Sequence, residues 1–277
     1  MNWSQIAAMP WMLWRRQVAA ILRLELKKSL FSKRAWWIYI LTLGPVLLTG
    51  LHSLIPRGEH TLANDNTIYA GIFQVYYLRL GIFFGCVGIF SNLFRAEMLE
   101  RTLHYYFMSP VRREVLAVSK YLAGLIAAVV FFAGSAALSY ILICLHWGPV
   151  FQQYLFHGPG LAQLGWYTLT AALACVGYGA VFLLTGVLYR NPMIPAAVVF
   201  VWENLNPFLP SLLKKLSIIF YLKSLCPVEI PGDLPLLAVL TEPTPAWLAI
   251  PGLLIVSALV LAYAAAKARK LEVSYSE

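Results

Sequence analysis

Charge is what this sequence has least of. Asp, Glu, Lys and Arg make up 12% of its 277 residues, while 60% are hydrophobic and the mean hydropathy is +0.72. A soluble domain needs a charged surface, so no large one is hidden here. Signatures of chemistry are missing as well. There is no G-x-x-x-x-G-K-[ST] phosphate loop, so ATP hydrolysis has no site on this chain. There is no H-E-x-x-H pair, and no catalytic or metal constellation suggests itself. The four cysteines, Cys86, Cys144, Cys175 and Cys226, show no C-x-x-C spacing, and three lie in apolar runs. Metal or redox chemistry therefore has no framework, although Cys144 and Cys226 both fall near one face, where a disulfide is conceivable. No apolar core of signal-peptide length precedes a small-residue cleavage site near the start.

What is present is a series of long apolar runs. They predict an all-α polytopic membrane protein with six transmembrane helices, at about 35–55, 68–94, 121–145, 166–189, 193–209 and 247–266. Residues 1–34 precede the first run. Val18, Leu22, Leu26 and Leu30 recur every fourth position with Ile21 beside them, and Arg16, Arg23, Lys27, Lys28 and Arg34 take other faces. That pattern predicts an N-terminal amphipathic interfacial helix on an anionic membrane surface, with 35–277 forming the transmembrane domain.

Lys and Arg placement sets the orientation. Of 21 such residues, 16 fall in segments expected inside and four in segments expected outside. The positive-inside rule then puts both termini in the cytoplasm. The same bias accounts for the formal charge of +9 without nucleic acid. His52, His60, His146 and His157 all fall at the outer edge or in outer loops.

The fifth run is irregular. Trp202-Glu203-Asn204-Leu205-Asn206-Pro207 interrupts it, and Pro210, Lys214, Lys215 and Lys223 follow. The reading is a span ending near Leu209, then a partly apolar interfacial or re-entrant helix over 211–225. Glu203 is the only acid in or near a span, read either as an exposed outer acid or as an outer-gate group near Lys214 or Lys215. Arg79, about 24 Å along a helix from Arg95, either snorkels to outer headgroups or lines a polar path.

Between the second and third runs lies the longest charged stretch, 95–120. Met98, Leu99, Thr102, Leu103 and Tyr106 recur at helical spacing, while Glu97, Glu100, Arg101 and His104 fall largely opposite. Ser109-Pro110 breaks that helix, and a basic helix restarts at Val111. The pattern predicts a short amphipathic helix at the inner membrane surface.

The string E-x-x-E-R-T-L-x-Y-Y-x-x-S-P-V-R-R-E-x-L-x-x-x-K, from Glu97 to Lys120, resembles the cytoplasmic segment between the second and third spans of ABC-2 exporter permeases. The resemblance is densest over about 30 residues, and the other spans are compatible with it. It implies an elbow helix at 1–34, a cytoplasmic coupling helix, and short outer helices between spans five and six. It implies an ATPase-coupling role for Glu97, Glu100, Arg101, Tyr105 and Tyr106, with Arg79 and Glu203 on the translocation path or outer gate. It also implies partners: an ABC ATPase in two copies, carrying ATP and Mg itself, a second permease copy or homologue, and the lipids of the inner (plasma) membrane. No cofactor is expected on this chain. Two other classes fit the sequence less well. A non-transporting anchor subunit has no residue-level feature in its favour, and an intramembrane enzyme lacks the paired groups it would need.

Overall fold

The computed structural model describes residues 11–31, 36–54, 61–99, 108, 112–228, 230 and 244–269. Among these there are helices and short connections but no strand. Helix α1, Trp11–Phe31, buries Ile21 and Glu25 and leaves Arg23, Leu24 and Lys27 exposed. It packs along the first turns of a much longer helix, α5, described below. Its apolar stripe is therefore spent partly on protein rather than on lipid alone.

Helix α2, Trp36–Leu54, contains Pro45. The Thr42 and Thr49 hydroxyls donate back to the Ile38 and Pro45 carbonyls, each at 2.9 Å, so both groups are satisfied inside an apolar layer. Ile38, Thr42, Pro45 and Thr49 face inward, while Ile40, Leu43, Leu47, Leu51 and Leu54 face out. Helix α3, Leu62–Gly71, runs without a break into a π-helical stretch, Ile72–Gly81, and then into α4, Ile82–Leu99. Thr61 caps this rod, its hydroxyl accepting the Asn64 N–H at 3.3 Å.

Helix α5, Arg113–Cys144, ends in a short turn, Leu145–Trp147. Helix α6, Pro149–His157, leads to α7, Gly160–Leu188. The rod and α7 are the most buried of the long helices and form the centre. They approach closely because glycine stands at the crossing. A Cβ on Gly186 would lie 2.7 Å from the Ser91 carbonyl oxygen, and one on Gly179 would lie 2.5 Å from the Phe90 ring. Between the rod, α5 and α7, Tyr69, Phe73, Tyr140 and Tyr167 stack edge to face at 4.7–5.2 Å. Tyr77 ties the rod to α5 through Ser135 at 2.7 Å and Ser139 at 2.9 Å.

After α7 comes α8, Met193–Leu205, then a 3-10 turn, Asn206–Phe208, and two short helices, α9, Ser211–Lys214, and α10, Ile218–Ser224. Helix α11, Ala246–Arg269, closes the chain against α7 and α5.

Among the described residues, five helical segments are long and apolar enough to cross a membrane: Trp36–Leu54, Leu62–Met98, Arg113–Trp147, Gly160–Leu188 and Ala246–Ala268. The run expected as the fifth of six spans is the shorter α8, with 13 residues. Boundaries shift elsewhere for physical reasons. The rod starts at Leu62 rather than residue 68, because Thr61 offers a cap. The outer loop expected after the third span holds α6, with Pro149 at its first turn. The single helix expected over 211–225 is two, broken around Lys215–Ser217. All four cysteines are free, so Cys144 and Cys226 are not joined.

Candidate functional site

Three polar assemblies lie in the apolar body. The first lies where α1, the end of α4 and the start of α5 meet. Lys120 is fully buried. Its ammonium donates to Glu25 Oε1 at 2.7 Å and to the Leu93 carbonyl at 2.9 Å, and pairs with Glu97 Oε1 at 2.8 Å. It also sits 5.6 Å from the centre of the Phe94 ring. Lys28, half exposed, reaches Glu97 at 3.3 Å. Burying an ammonium among apolar side chains is costly unless each proton finds an acceptor. Here two carboxylates and a carbonyl receive it, from α1 and from α4. Beside this cluster the Arg112 guanidinium lies 5.0 Å from the Trp14 ring, a second tie between α1 and the approach to α5.

Glu97 was expected to face the cytoplasm or a partner. It is instead 3% exposed, with its carboxylate turned into the protein. Helical spacing reads α4 alone, whereas α1 covers the side on which Glu97 lies. Glu100, Arg101, Tyr105 and Tyr106 lie outside the described residues. Glu25 and Lys120 were not singled out from the sequence. A signal for Glu25 exists: it is the sole acid among residues 1–34 and sits four positions after Ile21, on the packing side of a basic helix. Lys120 carries a weaker one, as the last charge before the apolar run 121–145.

The second assembly surrounds α10. The Glu203 carboxylate accepts the Ile218 and Ile219 N–H groups at 3.0 Å each and the Ser217 hydroxyl at 2.6 Å. It therefore caps the N-terminus of α10 from 15 residues upstream, meeting donors that would otherwise be orphaned. The Tyr178 hydroxyl adds a longer bond at 3.4 Å. The reading of Glu203 as an exposed outer acid does not hold. Glu203 is 4% exposed, so it is no surface acid, and among the described residues its partners are Ser217, Ile218, Ile219 and Tyr178 rather than Lys214 or Lys215.

Arg79 belongs to the same region. It is 8% exposed and turned inward, its Nη1 donating to Asn204 Oδ1 at 3.4 Å, so it does not snorkel to lipid as a lone side chain. Gln74, five positions earlier, donates to the Val228 carbonyl at 3.2 Å. A π ladder joins residues five apart, so Gln74 and Arg79 share one face of the rod. That face is the one on which α10 and its following turn pack.

A third polar cluster holds the opposite ends of α2, α3 and α5 together. Asp65, fully buried, accepts from Trp147 Nε1 at 2.8 Å and lies 3.1 Å from His52 and 3.4 Å from His146. Among the described residues no group of His, Cys, Asp and Glu is arranged to hold a metal ion.

Long apolar helices, a charged junction at one end and a polar seam inside suit a membrane transport component. Residues 21–206 match the model of a family described as ABC-2 family transporter protein, which is two thirds of the chain. The chain belongs to the ABC-2 transporter family. No curated protein matches it. The permease is thus a multi-pass membrane component of an ABC transporter. The matched region begins inside α1 and ends just after α8, so it contains the charged junction, Arg79 and Glu203.

Proposed function

We propose that this chain is the permease subunit of an ATP-driven exporter. In this reading two copies, or one copy and a homologue, form the translocation path in the inner membrane, with both termini in the cytoplasm. Each binds one separate ATPase subunit, which carries ATP and Mg. Residues 100–111 dock on the ATPase, with Glu100 and Arg101 as charged contacts and Tyr105 and Tyr106 as anchors. Helix α1 acts as the elbow. Helix α8 counts as the fifth of six crossings: its 13 residues and the turn at Asn206–Phe208 add up to about 26 Å, close to the ~30 Å hydrocarbon layer. The outward apolar faces of α2 and α8 are available to lipid or to the second permease.

One observation carries the reading. Lys120 ties α1, the end of α4 and the start of α5 into a single body, on either side of the segment expected to meet the ATPase. A push on 100–111 then moves the elbow and the second and third spans together instead of bending one loop. Glu97 serves inside that body, as a positioning residue, rather than at the contact. The experiment is recovery of the ATPase with the tagged permease, and of coupled hydrolysis, for wild type and for Glu100→Lys with Arg101→Glu. Loss of both in a folded variant supports the reading. Unchanged recovery and coupling would refute it.

A further inference from the structure

Helix α1 carries two outward lines of side chains that its packing on α5 does not use. Trp14, Val18, Ile21, Leu22 and Glu25 are buried or half-buried, so the stripe that periodicity assigns to the membrane is spent largely on protein. On the other side Arg16, Arg23 and Lys27 are exposed, seven and then four positions apart, which sets them on one line along the helix. Leu13, Ala20 and Leu24 repeat that spacing and form a second exposed line beside the first. Leu13 is 51% and Leu24 47% exposed.

The charge on this outer face has no answer close by. Glu25 is the sole acid of residues 1–34, and it is buried against Lys120. Among the described residues Arg16, Arg23 and Lys27 make no ion pair. The undescribed residues expected on the same side of the membrane hold three acids, Glu100, Glu272 and Glu277, against four cations, Lys33, Arg34, Arg101 and Lys270. They add no net negative charge. Only residues 32–35 separate α1 from α2, a reach of roughly 18 Å at most, so α1 stays beside the layer that α2 crosses. A basic line next to an apolar one, held at that height, matches the boundary between acidic headgroups and acyl chains.

We propose that the outer face of α1 docks on anionic lipid of the adjoining leaflet, with headgroup phosphates along Arg16, Arg23 and Lys27 and acyl chains against Leu13, Ala20 and Leu24. Because Glu25 on the opposite face grips Lys120, the leaflet charge also steadies the junction of α1, α4 and α5. The inference rests on membrane placement of the chain and not on coupling to an ATPase, so the two fail separately.

The test uses the purified full-length permease, without an ATPase, in nanodiscs of phosphatidylcholine alone or with about a third phosphatidylglycerol. Hydrogen exchange over 11–31 is read by mass spectrometry, with 160–188 as the internal reference. Exchange over α1 should be at least about tenfold slower in the anionic disc, with the reference unchanged. The difference should vanish at about 0.5 M salt, which screens exposed charges. It should also vanish in Arg16→Gln with Arg23→Gln and Lys27→Gln, and persist in Arg16→Lys with Arg23→Lys, which keeps the charge. Leu13→Gln with Leu24→Gln should speed exchange over α1 in both discs. If the triple variant does not fold, the salt series on the unaltered protein decides. Equal exchange in the two discs, a slowing shared equally by 160–188, or a difference that survives high salt or the triple variant overturns the proposal. Exchange unmoved by Leu13→Gln with Leu24→Gln overturns its apolar half.

Discussion

Lys120 and Glu25 meet at 2.7 Å although 95 positions separate them in the chain. Their contact fixes α1 to the start of α5, and Glu97 joins the end of α4 to the same ammonium. The following expectations begin from that junction.

Removing one partner of a buried ion cluster leaves the others unanswered. Lys120→Ala should cost about 3–5 kcal/mol and lower both yield and the unfolding temperature in detergent. Glu25→Gln should cost less, because Glu97 and the Leu93 carbonyl still receive the ammonium. In a double-mutant cycle, Glu25 and Lys120 should couple by about 0.5–3 kcal/mol. Additive effects would mean that the two do not meet in the folded protein.

Glu203 should act through the helix it caps. Glu203→Leu leaves the Ile218 and Ile219 N–H groups and the Ser217 hydroxyl without their acceptor, at a cost of about 1–3 kcal/mol. Hydrogen exchange should quicken over 217–225 and stay unchanged over 160–170. Glu203→Gln, which keeps a neutral acceptor, should fall between wild type and Glu203→Leu. Uniform exchange in all three proteins would show that the carboxylate does not hold α10.

Orientation is open to thiol labelling. Met108 and Ala63 are exposed on the segments expected inside and outside, respectively. Asn66 is a poor reporter, because it is buried and its side-chain oxygen accepts from the Cys144 thiol at 3.6 Å. In intact cells a membrane-impermeant thiol reagent should label Ala63→Cys and spare Met108→Cys. The reverse pattern would invert the topology.

Much of this architecture was legible in the sequence, and the misses share a cause. Apolar runs locate helices well, because each run must bury its backbone bonds within itself. They locate polar partners poorly. Glu97 reads as a surface acid from its own helix, since periodicity sees one element at a time and α1 approaches from 69 or more positions away. Glu203 reads as a candidate partner for nearby lysines, because charge is visible in a sequence and the N-terminus of a seven-residue helix is not. Lys120 reads only as the last residue of a basic helix, and Glu25, a lone acid on a basic helix, gives no sign of a partner 95 positions away. The family resemblance rested on the segment from Glu97 to Lys120, and the family match extends over 21–206.

The close crossing of the rod and α7 should tolerate no added methyl. At Gly186 the nearest obstacle is the Ser91 backbone, which cannot swing aside as a side chain could. Gly186→Ala should cost about 1–3 kcal/mol by overpacking, while Gly134→Ala, where a Cβ meets open space, should be near neutral. Thermal unfolding of both variants separates a tight crossing from a loose one.

The central claim is that residues 100–111 join this permease to a separate ATPase. Glu97→Lys is unsuited to test it, because a third cation beside Lys120 and Lys28 would disrupt the junction itself. The direct measurement is mass spectrometry of chains recovered with the tagged permease from native membranes, for wild type and for Glu100→Lys with Arg101→Glu. A chain with a G-x-x-x-x-G-K-[ST] phosphate loop should accompany the wild type at about one per permease and be absent from the variant, with the variant still in the membrane. Wild-type permease recovered without such a chain, or a variant that recovers it equally, would contradict the account.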